Sequence, residues 1–257
     1  AILQMAPLGN YDCTEDQNAR YLVDELKLIF LGQYFAESFA RRAATYHVEL
    51  PSANNYVRFN AEGTFIGEID TFDMLWPQSL AVAADERTVL FQTFLASPLI
   101  KKSAGYDEQK FSGALQIGHN GTVIGQAVDA FAHHVLLDSL RTCVLVDLQG
   151  EFLHTFFIVI LFDPQAHSDW DSKTGFWDKG KPEIDVFEAE HKCNALCRSL
   201  GLVSSDKRPA VKQPTGTQTR NRMAVENLVN LERKKGGAGS SKMTSIMVES
   251  GSSEESV

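Results

Sequence analysis

Apolar residues recur at helical spacing soon after the start of the chain. Leu22, Leu26, Ile29, Phe30 and Phe35 share a face, with Asp24, Glu25 and Lys27 between them. Thr14 followed three residues later by Gln17 is a capping-box pattern. A core-packing helix over 14–46 is therefore predicted, with Gly32 as the point where it would divide in two. From Tyr56 the period shortens: "NYVRFNAEGTFIGEI" alternates and is broken by Gly63 and Gly67, which predicts a hairpin. "RTVLFQTFLASPLI" (87–100) reads as a strand stopped by Pro98, and the stretch before it as a loop with a short helix.

Residues 101–126 are rich in glycine and polar residues and predict loops over a cleft. Helical spacing returns over Ala127–Leu140, and "TCVLVDLQG" (142–150) reads as a buried strand ending abruptly on Asp147, Gln149 and Gly150. After the apolar "LHTFFIVILF" (153–162), residues 162–184 are loop-like. A helix over 188–200 would then place Cys193 and Cys197 one turn apart on one face, with His191 at its start. Beyond residue 202 the chain is Ser-, Gly- and charge-rich, which predicts disorder with one short amphipathic helix over Met223–Lys235.

Hydrophobic content of 44% over 257 residues is enough for one large domain or two small lobes. The net charge of −9 argues against a nucleic-acid binder. It is uneven: residues 1–202 hold 15 Lys+Arg against 27 Asp+Glu, while 203–257 hold 9 against 6. Four cysteines are too few for a disulfide framework. The longest apolar run is about ten residues where a membrane helix needs about twenty. With no signal peptide read, a cytoplasmic protein away from membranes is expected. The chain does not begin with Met and is expected to be a fragment lacking the start of an N-terminal lobe.

Three groups carry candidate chemistry. His191, Cys193 and Cys197 are three zinc-type donors wanting a fourth. His133 and His134 are the nearest in kind; only one can face the core with Phe131, and His133 is favoured. On these residues alone a zinc site and a pair of small buried hydrophobic thiols both stay open. Asp147 and Gln149 end one apolar strand and Asp163 ends the next, a set of hard oxygen donors suited to Mg²⁺ beside a phosphate. "KTGFWDKG" (173–180) sets two glycines around an aromatic pair.

The order of these pieces resembles the alpha-kinase family of atypical protein kinases: "AFAH", then "DLQG", "DPQAHS", a glycine-bearing loop and "HKCNALCRSLGL". The likeness is strong over 130–202, looser over 11–120, and does not reach the tail. It implies an α+β, two-lobed atypical protein-kinase-like fold with a zinc-stapled C-terminal lobe and a disordered tail. The divisions would be a partial N-terminal lobe (1–100), a C-terminal lobe (101–202) and the tail (203–257). It implies an ATP-dependent kinase acting on Ser or Thr of a protein substrate. Asp147 would be the catalytic aspartate, and Gln149 and Asp163 the Mg²⁺ ligands. His133, His191, Cys193 and Cys197 would hold the structural Zn²⁺. Lys110 and Asn120 would serve the phosphates, and the loop bearing Gly175 and Gly180 would flank nucleotide and substrate.

The sequence departs from the family at three places. No lysine precedes Lys27, so Leu3 stands where the ATP-anchoring lysine would be, or that lysine lies upstream. Ser97 falls where the nucleotide hinge would carry an acid. Asp147 and Asp163 are separated by extra apolar chain, which reads as a longer hairpin or a mis-spliced segment. These departures keep open a zinc-stabilised nucleotide- or protein-binding module that does not transfer phosphate. A metal-dependent hydrolase is the third reading.

Overall fold

The computed structural model describes residues 2–3, 13–50, 56–69, 91–100, 106–153 and 158–202. The short helix expected before residue 87, the helix over 223–235 and the predicted disorder all lie outside these residues.

One long rod organises the molecule. Helix α1 (Glu15–Thr45) begins at a reciprocal cap: Gln17 N donates to Thr14 Oγ1 at 3.2 Å, and Thr14 N donates to Gln17 Oε1 at 3.0 Å. It does not divide at Gly32. The ring of Phe59 fills the place of the missing side chain, since a Cβ there would lie 2.7 Å from it. That glycine marks a close approach rather than a break.

The expected hairpin after Tyr56 does not form. Its halves, β2 (Val57–Phe59) and β3 (Phe65–Glu68), enter different sheets. A turn containing Gly63 at φ +75° swings the chain from one sheet to the other. β3 pairs antiparallel with β4 (Thr93–Ala96), which also carries β1 (Ile2–Leu3), with Leu3 opposite Leu95. The second sheet runs β2, β8 (Ile158–Phe162), β7 (Gln149–Leu153), β5 (Tyr106–Lys110). β2 lies parallel to β8, and the other neighbours are antiparallel. β6 (Cys143–Val146) pairs with β9 (Gln165–Ser168) as a separate antiparallel ribbon. Two stretches expected as loops thus contribute strands β5 and β9, because edge pairing satisfies backbone groups even where side chains are polar.

Helix α2 (Val123–Asp138) is capped by Thr122, whose hydroxyl accepts from Gly125 N at 3.1 Å. Its Phe131 packs edge-on against Phe39 of α1 at 5.8 Å and beside Phe59 of β2 at 6.0 Å. These rings, with Phe35, Val144, Leu145 and Leu161, form a shared core between α1, α2 and the sheets. Burying each such side chain contributes about 1.5–3 kcal/mol.

The cysteine helix is also different from the expectation. Helix α3 (Lys181–Glu190) ends at His191, the chain runs extended to Asn194, and α4 (Ala195–Ser199) starts anew. The Asn194 side chain forces this division: its Oδ1 accepts from Cys197 N at 2.9 Å as an N-cap. Its Nδ2 donates to Gln126 O on α2 at 2.6 Å.

Candidate functional site

Asp147 and Asp163 occupy equivalent positions, each one residue past the end of a buried strand. Both have left-handed backbone, φ +51°, which a non-glycine residue adopts at a cost of about 1–3 kcal/mol. The turn at Asp147 is held by its N–H to Gly113 O at 3.1 Å, and that at Leu148 by its N–H to Ser112 Oγ at 3.0 Å.

The apolar residues between the two aspartates form a hairpin. β7 and β8 pair so that Gln149 stands opposite Phe162. The long detour therefore returns Asp163 to Gln149, whose Nε2 donates to Asp163 Oδ2 at 3.3 Å. Asp147 is nearly buried; its Oδ1 pairs with Lys110 Nζ at 2.5 Å, and its Oδ2 accepts from Gln165 Nε2 at 3.3 Å. Lys110 reaches this point because β5 sets it opposite Gln149. Four sequence-predicted residues thus come together as two pairs, Lys110 with Asp147 and Gln149 with Asp163, within electrostatic reach of each other.

The remaining predicted site residues are placed differently. Asn120 donates through Nδ2 to Asp129 Oδ1 at 2.7 Å and Phe111 O at 3.0 Å, so its amide is engaged in holding the start of α2. Gly175 lies against Leu28 of α1, and Gly180, at φ +80°, precedes α3. The loop between them is organised by Asp178, a residue the sequence did not single out. Its buried carboxylate accepts from Ser168 N and Oγ, Thr174 N and Oγ1, and Gly180 N, at 2.5–3.0 Å. Burial pushes its pKa up, but these hydrogen bonds outweigh that and hold it below the usual carboxylate range. Its signal was faint: one acid between glycines reads as a turn.

Beside the two pairs lies a cleft of about 300 Å³ between α1 and the β7–β8 hairpin, reaching Ser97 and Pro98. Glu25 of α1 and Glu151 of β7 line it together with Asp163. Neither glutamate was anticipated, although Glu25 falls at helical spacing from Leu22 and Ile29, and Glu151 alternates with Gln149. Partial burial, then the Asp163 and Asp24 carboxylates, raise the Glu25 pKa to about 7. Protein packed around Asp163 raises its pKa too, followed by Asp147, with Lys110 opposing. Asp163 still shows an exposed face to solvent, so that desolvation is partial.

A second cluster joins His133, His191, Cys193 and Cys197, whose ligand atoms all lie within 4.8 Å of one another. Cys193 Sγ is 3.6 Å from His133 Nδ1, and Cys197 Sγ is 3.6 Å from His191 Nε2. Sulfur and nitrogen on a tetrahedral zinc stand about 3.6 Å apart, so the spacing suits that ion. Burial, then His191 and nearby arginines, pushes the His133 pKa down to about 3; burial, then His119, takes His191 to about 4. Both imidazoles are therefore neutral and able to ligate. Burial pushes the Cys197 thiol up to about 12, a preference that only a bound cation would reverse. His134 instead faces Phe39 and lies 3.8 Å from Asp138.

Paired aspartates thus stand at strand ends beside a cleft in an α+β frame, and comparison with known proteins places that frame. The alpha-kinase family model matches residues 10–197, and the chain belongs to that family. It is 34% identical over 79 residues to alpha-protein kinase vwkA of Dictyostelium discoideum, covering 31% of this chain and 12% of that protein. It is 27% identical over 110 residues to eukaryotic elongation factor 2 kinase of Mus musculus, covering 42% and 14%. The chain thus spans only a small part of the curated relatives it matches. In structure it resembles the alpha-kinase domain of myosin heavy chain kinase A in complex with AMP, with a TM-score of 0.52 at 19% identity, over 76% of this chain and 64% of that one. Among the described residues no helix is long and apolar enough to cross a membrane.

Proposed function

We propose that this chain transfers the γ-phosphate of ATP to a Ser or Thr hydroxyl of a protein. The observation that carries the reading is the meeting of Asp147, Gln149, Asp163 and Lys110 after separate strands and a long hairpin. Asp147 would orient the substrate hydroxyl and take its proton as the oxygen attacks phosphorus and ADP departs. Its nearly buried carboxylate is held in place by Gln165 and Lys110. Gln149 and Asp163 offer an amide oxygen and a carboxylate as the ligands of Mg²⁺, which when bound supplies charge neutralisation for the phosphates. Lys110 would leave Asp147 to meet phosphate oxygens, and the loop bearing Gly175 and Gly180 would flank the substrate. His133, His191, Cys193 and Cys197 would hold a structural Zn²⁺ that fastens α3 and α4 to α2.

The test is phosphate incorporation into a basic Ser/Thr peptide with Mg²⁺ and ATP. Asp147→Ala is expected to lower it by at least about a hundredfold with the fold retained; equal incorporation by both proteins removes Asp147 from its role.

A second reading, a nucleotide- or protein-binding module without transfer, is favoured by the cleft itself. Glu25, Glu151 and Asp163 line it, with no Lys, Arg or His among the described lining residues. Leu3 stands on β1 opposite Leu95; if it holds the place where the family resemblance expects lysine rather than that lysine lying upstream, the ATP anchor is gone. A melting-temperature rise with Mg²⁺ and ATP but no turnover would select this reading.

A further inference from the structure

Glu151 presents a problem that phosphoryl transfer does not solve. Its residue is 5% exposed, and its Oε2 is buried without a hydrogen-bond partner. Directly across the sheet stand Glu108 on β5 and Ile160 on β8, neither of them a cation, and Lys110, also on β5, is paired with Asp147. An ionised carboxylate withdrawn from water is costly unless something pairs with it. The same carboxylate lines the cleft, with Glu25 facing it from α1 and Asp163 from the end of β8. The rest of the lining is largely apolar, including Ile29, Leu95, Pro98 and Phe162.

We propose that this cleft binds a small planar organic cation, whose paired N–H donors are received by the Glu151 carboxylate. Three features select that ligand class. The carboxylates are spread around the wall: among the described residues, three or more His, Cys, Asp or Glu ligand atoms converge only in the His–Cys quartet. The apolar walls and the volume of about 300 Å³ suit one flat ring system. A carboxylate accepts two parallel N–H groups in the geometry of an amidine or guanidine. Asp163, joined by Glu25 where it is ionised, adds negative potential without competing for the same donors. Asp163 and Ser97 line this cleft too, so the ligand would compete for the place the proposed function gives to Mg²⁺ and nucleotide, while its binding is read without ATP and needs no phosphate transfer.

Benzamidine is the probe, with neutral benzamide as its near-isosteric control, titrated calorimetrically into the whole chain. Benzamidine is expected to bind saturably, benzamide at least tenfold more weakly, and Glu151→Gln to weaken benzamidine at least tenfold while circular dichroism is unchanged. Equal binding of the two compounds, unchanged affinity in Glu151→Gln, or no benzamidine binding up to about 10 mM overturns the proposal. If Glu151→Gln fails to fold, Glu25→Gln must weaken benzamidine at least threefold, and an unchanged affinity there overturns it equally.

Discussion

Glu25 holds its proton close to neutrality, and the sign of its effect on stability follows directly. Its pKa rises from an ordinary 4.5 to about 7 on folding. Between those values the folded chain binds a proton that the unfolded chain has released, so stability falls as pH climbs. The loss is at most about 3 kcal/mol and is complete above about pH 8. Glu25→Gln should flatten the decline in melting temperature between pH 5 and 8. Asp163→Asn removes a neighbouring charge while leaving a residue that tolerates left-handed backbone. It should move the midpoint of that decline downward, measurable by the same melts. Residue identity along the chain announced Asp147, Gln149 and Asp163, because an acid at the end of an apolar run is visible in one dimension. Glu25 was also visible but easily read as a solvated position. That its stripe faces a cleft rather than water depends on β7 and β8, which only three-dimensional packing brings near.

Helix α1 shows how a local signal misleads when the reason for a residue lies elsewhere. Gly32 lowers helix propensity, yet the helix continues because the Phe59 ring needs that space. Gly32→Ala should therefore destabilise by about 1–2 kcal/mol in urea unfolding, overpacking at 2.7 Å exceeding the propensity gain of about 1 kcal/mol. The helix itself was legible down to its capping box, as was α2 from its spacing, because both depend on neighbours in sequence. Strand partners were not. β2 and β3 share the alternation of a hairpin, but which strand each joins is decided by β8 and β4, far along the chain. The break between α3 and α4 was equally hidden, since an asparagine within a helical pattern does not reveal its partner. Asn194→Ala should cost about 1–2 kcal/mol, from the lost cap and the freed Gln126 carbonyl, read by chemical denaturation.

Across the whole molecule, the four-ligand cluster draws on α2, the end of α3, the following extended chain and α4. Purified protein should contain about one zinc per chain. A strong chelator should lower the melting temperature by about 10 °C or more, and Cys197→Ser should lose both the metal and that sensitivity. Retention of the full melting temperature after metal removal would show that core packing alone holds these helices. One further contact gives the cluster a longer reach. Arg42, near the end of α1, donates to Leu200 O at 2.8 Å and Gly201 O at 3.2 Å, on the segment that leaves α4. At its opposite end, the Glu15 carboxylate accepts from Gln92 N and Thr93 N. A straight helix of this length is about 46 Å long; it is pinned at both tips, and Glu25 projects between them. Its middle is held by the core as well, so a change at one tip is expected to reach Glu25 only as far as that packing yields.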